Sequence, residues 1–320
     1  MRSLVIVSIL ICLALVKSAD PVCSVYRCSN DTLTEQTCIY SKLYTGSNVL
    51  ADNQIKLDPK PELYCPFNTA GNNSTSTQRP VVKVVHGEKC VNGTTCYSGN
   101  CTDSKCVGFG ENAACQISAE CTTGLWCGLD GTALKCLKQV EAGKDCTNDY
   151  QCPNGYGCNK VCTEYYSLLA TNETTSNLLC ASGYTLSGKC VESKMVDGQT
   201  EQCKSDQTEC KYVNVNTNDT FALPCRCSLN DAYNRYCPYS TDNANWKKGV
   251  SAMKSVAQGN KGKHTALRFT STQSERKDAL AVQFPIYREA DKCVVDYFTS
   301  VQSNAVSYMS LLFMLIAFMI

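Results

Sequence analysis

The 25 cysteines of this 320-residue chain constrain its fold more than any other feature of the sequence. Cys12 lies in an apolar N-terminal stretch, and the other 24 fall between Cys23 and Cys293. A high and even cysteine count is typical of disulfide scaffolds in oxidising compartments, and a reducing cytosol would not keep so many bridges. We therefore expect small disulfide-rich modules in tandem, mostly loops with short β-hairpins, plus a short helix and strand in the C-terminal part.

Residues 87–162 repeat one cysteine pattern three times. Each unit has a glycine-led entry, a Cys-x5-Cys pair, a turn with glycine three residues after the second cysteine, and two further cysteines. A degenerate copy leads from Gly198 to Cys203 and Cys210. Four cysteines allow three pairings, and the spacing does not choose among them. The repeat cysteines are Cys90, Cys96, Cys101, Cys106, Cys115, Cys121, Cys127, Cys136, Cys146, Cys152, Cys158 and Cys162.

The turn of each repeat combines a glycine with an aromatic residue. A tight turn that needs positive φ explains the glycines. We interpret the aromatic residues as the small apolar plug of each module, with a binding hot spot as the alternative. The glycines are Gly99, Gly124 and Gly155, and the aromatic residues are Tyr97, Trp126 and Tyr156.

The sequence predicts neither a metal site nor a catalytic centre. Zinc sites need cysteines two to four residues apart, usually with histidine. Here the recurrent spacing is five, and His86 and His264 are the only histidines. No metalloprotease, serine-hydrolase, phosphate-binding or dinucleotide-binding motif occurs, and neither histidine lies in a recognisable nucleophile-base pattern. We expect no enzyme activity and no cofactor.

Both ends of the chain are apolar and carry targeting signals. Residues 1–18 are predicted to be a secretory signal peptide, with Arg2 before an apolar run. The tail, residues 305–320, follows small residues that suit a GPI attachment site at Ser303 or Asn304. The alternative is a short transmembrane helix that starts near Ala305.

The repeats, above all Cys146-TNDYQ-Cys152-PNGYG-Cys158-NKV-Cys162, resemble cysteine-rich modules of the Dickkopf N-terminal type and the related EB type. Their tandem arrangement between a signal peptide and an apolar tail resembles cysteine-rich surface proteins of ciliates. The resemblance implies a disulfide-rich extracellular module. It does not imply Wnt antagonism, because the receptor-binding C-terminal domain of Dickkopf proteins has no clear counterpart here.

The C-terminal part contains few cysteines and more conventional signals. The sequence predicts a helix here, because Trp246, Val250, Met253 and Val256 recur at helical spacing, and it predicts Asp242 as the N-cap.

Residues 279–287 are predicted to hold an edge strand. Residues 247–277 carry eight Lys or Arg against one Glu, which predicts either a solvated face, the favoured interpretation, or a patch for anionic glycans or lipid headgroups.

The sequence divides into six segments. They are the signal peptide, 1–18; an N-terminal cysteine-containing segment, 19–86, with a polar linker near 68–78; the tandem repeats, 87–162; a further cysteine-rich segment, 163–240; a cysteine-poor membrane-proximal segment, 241–304; and the apolar tail, 305–320.

Seven Asn-x-Ser/Thr sequons predict N-glycosylation on exposed loops. They are Asn30, Asn72, Asn73, Asn92, Asn100, Asn172 and Asn218.

We expect a glycosylated protein on the extracellular side of the plasma membrane, held on the outer leaflet by the anchor or the short helix. Such a protein would act as a coat, antigen or adhesion module. The alternative is a secreted or tethered ligand-like or inhibitor-like module that binds an extracellular protein or glycan. The formal net charge of +1 gives no reason to expect nucleic-acid binding.

Overall fold

The computed structural model describes residues 23–28, 83–204, 206–227, 231 and 233–268 in full, and the backbone of strand residues 37–43, 51–55, 63–64, 74–75 and 77–78. The predicted signal peptide, the apolar tail and the predicted strand at 279–287 lie outside the described residues. Within the described part the protein has short strands, short 3-10 helices and one α-helix, as the sequence predicts.

The strands, numbered in chain order, are β1 (Val25–Cys28), β2 (Thr37–Leu43), β3 (Ala51–Ile55), β4 (Leu63–Tyr64), β5 (Ser74–Thr75), β6 (Thr77–Gln78), β7 (Cys101–Thr102), β8 (Lys105–Cys106), β9 (Leu125–Asp130), β10 (Ala133–Lys138), β11 (Tyr156–Asn159), β12 (Val161–Glu164), β13 (Thr185–Leu186), β14 (Lys189–Cys190), β15 (Ser193–Met195), β16 (Glu209–Asn214), β17 (Thr220–Pro224), β18 (Arg226–Cys227) and β19 (Arg235–Tyr236). The helices are α1 (Ala244–Gly259) and the 3-10 helices η1 (Gly93–Thr95), η2 (Ser118–Glu120), η3 (Asp149–Gln151), η4 (Asn177–Leu179) and η5 (Thr265–Leu267).

The N-terminal segment forms a four-stranded sheet in the order β1-β3-β2-β5, and β4 pairs with β6. Strand β1 runs parallel to β3, whereas β2 pairs with β3 and β5 in the antiparallel sense. The polar linker predicted near residues 68–78 therefore contains two strands, β5 and β6. Both are only two residues long and rich in Ser and Thr, so they carry no apolar alternation that would have revealed them.

The structure contains four copies of the repeat where the cysteine pattern predicts three. We define repeat 1 as residues 84–106, repeat 2 as 109–136, repeat 3 as 140–162 and repeat 4 as 168–190. In each copy the N–H three residues after the start donates to the carbonyl of the last cysteine. The residues that donate this hydrogen bond are Gly87, Asn112, Gly143 and Thr171.

The disulfides of repeats 1–3 are crossed, with the first cysteine bonded to the third and the second to the fourth. The structure thereby selects one of the three pairings that the sequence left open. The first-to-third bridges are Cys90–Cys101, Cys115–Cys127 and Cys146–Cys158, and the second-to-fourth bridges are Cys96–Cys106, Cys121–Cys136 and Cys152–Cys162.

Repeat 4 keeps the second-to-fourth bridge, Cys180–Cys190, and lacks the other one. Thr174 takes the place of the first cysteine. Its N–H donates to the Gly188 carbonyl, as the Cys146 N–H of repeat 3 donates to the Lys160 carbonyl. Thr185 takes the place of the third, because it pairs with Cys190 across a hairpin as Cys158 pairs with Cys162.

A fifth, enlarged unit follows at residues 201–237. It has the same crossed pairing, Cys203–Cys225 and Cys210–Cys237, and the long hairpin β16–β17 separates its second and third cysteines. The copy that starts from Gly198 is therefore part of the structure, but it begins after repeat 4. A further bridge, Cys23–Cys227, ties the N-terminal segment to this unit.

The ten bridges above account for 20 cysteines, and Cys28 is also disulfide-bonded. The side chains of Cys38, Cys65 and Cys293 lie outside the described residues, so complete pairing of all 24 mature cysteines stays a prediction.

The cores of the repeats are small and consist mainly of cystine. In repeat 1 the buried cluster is Cys90, Cys96 and Cys106 with partly buried Val84 and Cys101. Because so little apolar surface is buried in each repeat, the covalent bridges replace the core that a larger domain would have.

The predicted C-terminal helix is present as α1. Asn243, rather than the predicted Asp242, is its N-cap, with the side-chain oxygen accepting the Asn245 N–H. Trp246 donates its indole N–H to the Ser182 carbonyl at 2.7 Å. The helix therefore runs back along repeat 4, towards the middle of the array.

Candidate functional sites

Three of the four sequon asparagines in the described residues lie in repeats 1 and 4, and Asn218 lies at the tip of the β16–β17 hairpin; all four side chains are exposed. Asn92 caps η1 and accepts the Thr94 N–H. The Asn172 amide donates to the Leu169 carbonyl at 3.0 Å. Asn218 has a φ of +65°. Exposure is what glycosylation requires, and whether a glycan is attached stays a prediction.

The other predicted modification sites lie outside the described residues. They are Asn30, Asn72, Asn73, Ser303 and Asn304.

Repeats 2 and 3 form a segment without sequons, because no Asn-x-Ser/Thr occurs between Asn100 and Asn172. The hairpin β9–β10 of repeat 2 has the longest strands of the four repeats. Leu129 and Leu134 face each other across it and are 68% and 42% exposed. Such an apolar pair is the kind of feature that a binding partner can cover.

The predicted aromatic plugs are wrong in one respect, since Tyr97, Trp126 and Tyr156 are only half-buried. In repeat 2 the buried apolar residue is Leu125, with Phe109 packed against it, while the Trp126 ring covers Gly128. The bridges already fill the space inside each repeat, which leaves the large rings on its surface.

The three turn glycines do have the predicted conformation. Gly99, Gly124 and Gly155 have φ values of +74°, +86° and +90°. Gly183, at the same position of repeat 4, has a φ of +71°. The glycine pattern thus marks a fourth repeat that the cysteine spacing does not reveal.

The most elaborate polar site is formed by residues 260–268, which follow α1 and which we name the clasp. Arg268 is buried and donates to the carbonyls of Asp149 and Cys152 at 2.7 Å each, to the Tyr156 carbonyl, and to the Tyr165 hydroxyl at 3.1 Å. Hydrogen bonds offset the cost of burying this charge. The guanidinium therefore holds the clasp to repeat 3.

His264 holds the clasp to repeat 2. Its Nε2 lies 2.8 Å from the Cys121 carbonyl, and its Nδ1 accepts the Ala266 N–H at 3.0 Å. These partners assign the proton of the neutral ring to Nε2. Burial lowers the pKa of His264, the hydrogen bond to the Cys121 carbonyl opposes this shift, and the charge of His86 adds to it.

Two amides complete the attachment of the clasp. The Asn154 amide donates to the carbonyls of His264 at 2.9 Å and Lys263 at 3.2 Å. Gln139 donates to the Thr265 hydroxyl at 2.9 Å and to the Cys152 carbonyl at 2.8 Å. Repeats 2 and 3 are thus joined by one short segment that lies more than 100 residues away in sequence.

The basic run at residues 247–277 is not a uniform surface patch. Arg268 is buried, and Lys261 contacts Glu164 at 2.7 Å with its ammonium 5.3 Å from the centre of the Tyr156 ring. Lys247, Lys248 and Lys254 are exposed on α1. The described part of the run therefore serves both attachment and a solvated helix face.

Buried tyrosines line the contact between repeat 4 and the helix, and another lies in the core of the fifth unit. Burial raises the pKa of Tyr165 to about 12 and that of Tyr184 to about 12, because both rings are removed from water. Burial also raises the pKa of Tyr166 and Tyr212 above the usual value. These groups remain neutral at physiological pH and act as packing residues.

The cysteine sulfurs of each unit lie close enough together to resemble metal sites. Three of them approach within 4.8 Å of one another in repeats 1, 2 and 3 and in the fifth unit. All of these cysteines are in disulfides, and the closeness follows from the crossing of two bridges. A bridged sulfur is not the thiolate that zinc requires.

The described residues include no helix that is both long and apolar enough to cross a membrane. Comparison with protein-family models, with curated proteins and with solved structures finds no match to this chain. What the structure does establish is a cysteine-rich protein with ten described disulfides, which points to an extracellular or secreted location.

Proposed function

We propose that this chain is an N-glycosylated cell-surface protein, held on the outer leaflet by a GPI anchor at Ser303 or Asn304. In this proposal it acts as a coat, antigen or adhesion module and has no enzymatic activity. The observation that carries the proposal is the array of disulfide-held repeats with cystine cores, which suits an exposed and protease-rich environment. The signal peptide and apolar tail support the membrane attachment.

The resemblance to Dickkopf N-terminal and EB modules, and to ciliate surface proteins, fits this proposal. Crossed bridges in repeats of similar size would make each unit a rigid spacer. The sequons of repeats 1 and 4 flank the sequon-free repeats 2 and 3, so that N-glycans would cover the ends of the array and leave its middle accessible.

The anchor is tested by adding phosphatidylinositol-specific phospholipase C to intact cells that express the full chain. The enzyme should release the protein into the medium, and heat-inactivated enzyme is the control. Bulky substitutions at Ser303 and Ala305 together should trap an uncleaved precursor inside the cell. Recovery of a C-terminal peptide containing Ile320 from the mature protein would overturn the anchor and support a retained helix instead.

The second candidate function is a ligand-like or inhibitor-like module that binds an extracellular protein. The exposed pair Leu129 and Leu134 favours it, because these leucines lie on a hairpin without sequons. If the pair binds a partner, Leu129→Asp should reduce capture of that partner from cell surfaces, whereas Val215→Asp, at a valine that is 50% exposed, should not. Equal capture by both variants would contradict this second function.

A further inference from the structure

His264 is the residue of the clasp whose charge can change near neutral pH, and the other ionisable residues of the clasp are cations. In the neutral Nε2-protonated form both ring nitrogens are satisfied, one by the Cys121 carbonyl and one by the Ala266 N–H. A second proton on Nδ1 would replace an acceptor by a donor and leave two N–H groups facing each other. The first turn of η5 would then lose its cap.

The surroundings of His264 oppose a positive charge. His86 lies near enough for its charge to act on the ring, and Lys263 and Arg268 belong to the same segment. Three acids belong to the elements packed against the clasp, and one of them, Glu120 of η2, lies next to Cys121 in sequence and accepts the Gln116 N–H at 2.6 Å. Glu164 pairs with Lys261, and the Asp149 carboxylate accepts the Cys158 N–H at 2.7 Å.

The clasp is held to the repeats by non-covalent contacts between residues far apart in sequence. Its hydrogen bonds to repeats 2 and 3 join residues 109–143 positions apart in sequence. Each neighbouring repeat keeps two disulfides of its own. The clasp can therefore detach while the repeats remain folded.

We propose that protonation of His264 opens the clasp, so that the protein has a closed form above about pH 6.5 and a more open form in acidified compartments or media. Opening separates residues 260–268 from the junction of repeats 2 and 3. It uncovers the carbonyls of Cys121, Asp149 and Cys152 on the sequon-free part of the array. The proposal does not depend on the mode of membrane attachment.

The direction of the pH effect follows from linkage. The closed form lowers the His264 pKa, so the open form binds more protons at mildly acidic pH. The stability of the closed form is complete above the ordinary value of 6.5 and falls as the pH drops through the lowered pKa. Each unit by which the closed form lowers the His264 pKa raises the ratio of open to closed protein about tenfold, once the pH lies below the His264 pKa of both forms.

The test is hydrogen-deuterium exchange of the full mature protein between pH 7.5 and pH 5.0, corrected for the intrinsic pH dependence of exchange. Glu and Asp have ordinary pKa values near 4, so this window isolates the histidines from Glu120, Glu164 and Asp149. The peptide that contains Ala266 and Leu267 should lose protection as the pH falls. Peptides within the disulfide-bonded repeats should remain protected.

Since the chain has only two histidines, the matched variants are His264→Gln and His86→Gln. We expect His264→Gln to abolish the pH dependence of clasp exchange and His86→Gln to retain it. Equal pH dependence in the wild type and His264→Gln would overturn the proposal. If His264→Gln does not fold, the His264 titration followed by NMR in His86→Gln decides, and a pKa at or above 6.5 contradicts the switch.

Discussion

Repeats 3 and 4 share one backbone arrangement but are held together by different means. Repeat 3 has two crossed bridges, whereas repeat 4 has one, with Thr174 and Thr185 at the other two cysteine positions. Both keep the 3-10 turn, the hairpin and the glycine with positive φ. The first-to-third bridge is therefore not needed to specify this fold.

Packing against α1 replaces the missing bridge. Leu179 is 1% exposed and belongs to a cluster with Tyr165, Tyr166 and Ala257, against which Val250 and Met253 of the helix pack. Repeats 1 and 2 show no comparable apolar cluster in the part of the chain that the structure describes. A repeat can thus be stabilised covalently from within or by an apolar neighbour.

The largest effect is expected from removing the single bridge of repeat 4. The Cys180–Cys190 and Cys146–Cys158 bridges close loops of 10 and 12 residues. By chain entropy alone each bridge contributes about 3 kcal/mol, so removing either one should destabilise its repeat equally. We expect Cys180→Ser with Cys190→Ser to leave repeat 4 unfolded and reduce secretion sharply. The matched pair Cys146→Ser with Cys158→Ser leaves repeat 3 with Cys152–Cys162 and should be secreted. Equal secretion of both variants, measured in the medium, would contradict the comparison.

Restoring the missing bridge should stabilise repeat 4. Thr174→Cys with Thr185→Cys is expected to form a disulfide and to raise the free energy of unfolding by up to about 3 kcal/mol. The measurement is guanidinium unfolding of the secreted protein. Asn172→Gln is the control, because Thr174→Cys also destroys the Asn172 sequon. Two free thiols in the double variant would show that Thr174 and Thr185 are not the equivalents of the first and third cysteines.

A smaller effect is expected from alanine at Gly183, which tests the contact with α1 separately from the conformation of the turn. A Cβ at Gly183 would lie 2.7 Å from a Val250 methyl, whereas one at Gly99 would meet no atom within 4 Å. Both glycines have positive φ, which costs alanine about 1–2 kcal/mol at either position. We expect Gly183→Ala to lower the free energy of unfolding by about 1 kcal/mol more than Gly99→Ala, because the new methyl overpacks against Val250. The measurement is the midpoint of guanidinium unfolding, which should be lower for Gly183→Ala. Equal losses in Gly183→Ala and Gly99→Ala would mean that α1 adapts without strain.

The sequence predicts the character of the array well, because cysteine spacing and turn glycines are local signals. It misses repeat 4, since Thr174 and Thr185 break the cysteine pattern and only Gly183 and the pair Cys180 and Cys190 remain. It also predicts α1 from the spacing of Trp246, Val250, Met253 and Val256 without indicating where the helix packs.

The clasp could not be predicted from local patterns. Arg268 lies in a basic run that predicts a solvated face. Three of its four hydrogen-bond partners are backbone carbonyls, which any residue type supplies and which the sequence therefore does not reveal. His264 likewise binds a carbonyl 143 residues away. Only the folded arrangement of the repeats brings these groups together.

Mapping the disulfides of the unreduced mature protein by mass spectrometry tests the shared architecture most directly. The structure predicts crossed pairs in repeats 1–3 and in the fifth unit, with Cys180 linked to Cys190 alone. A linkage from Cys180 or Cys190 to Cys203 or Cys210 would contradict the account, since Thr174 and Thr185 would then no longer stand in for a lost bridge.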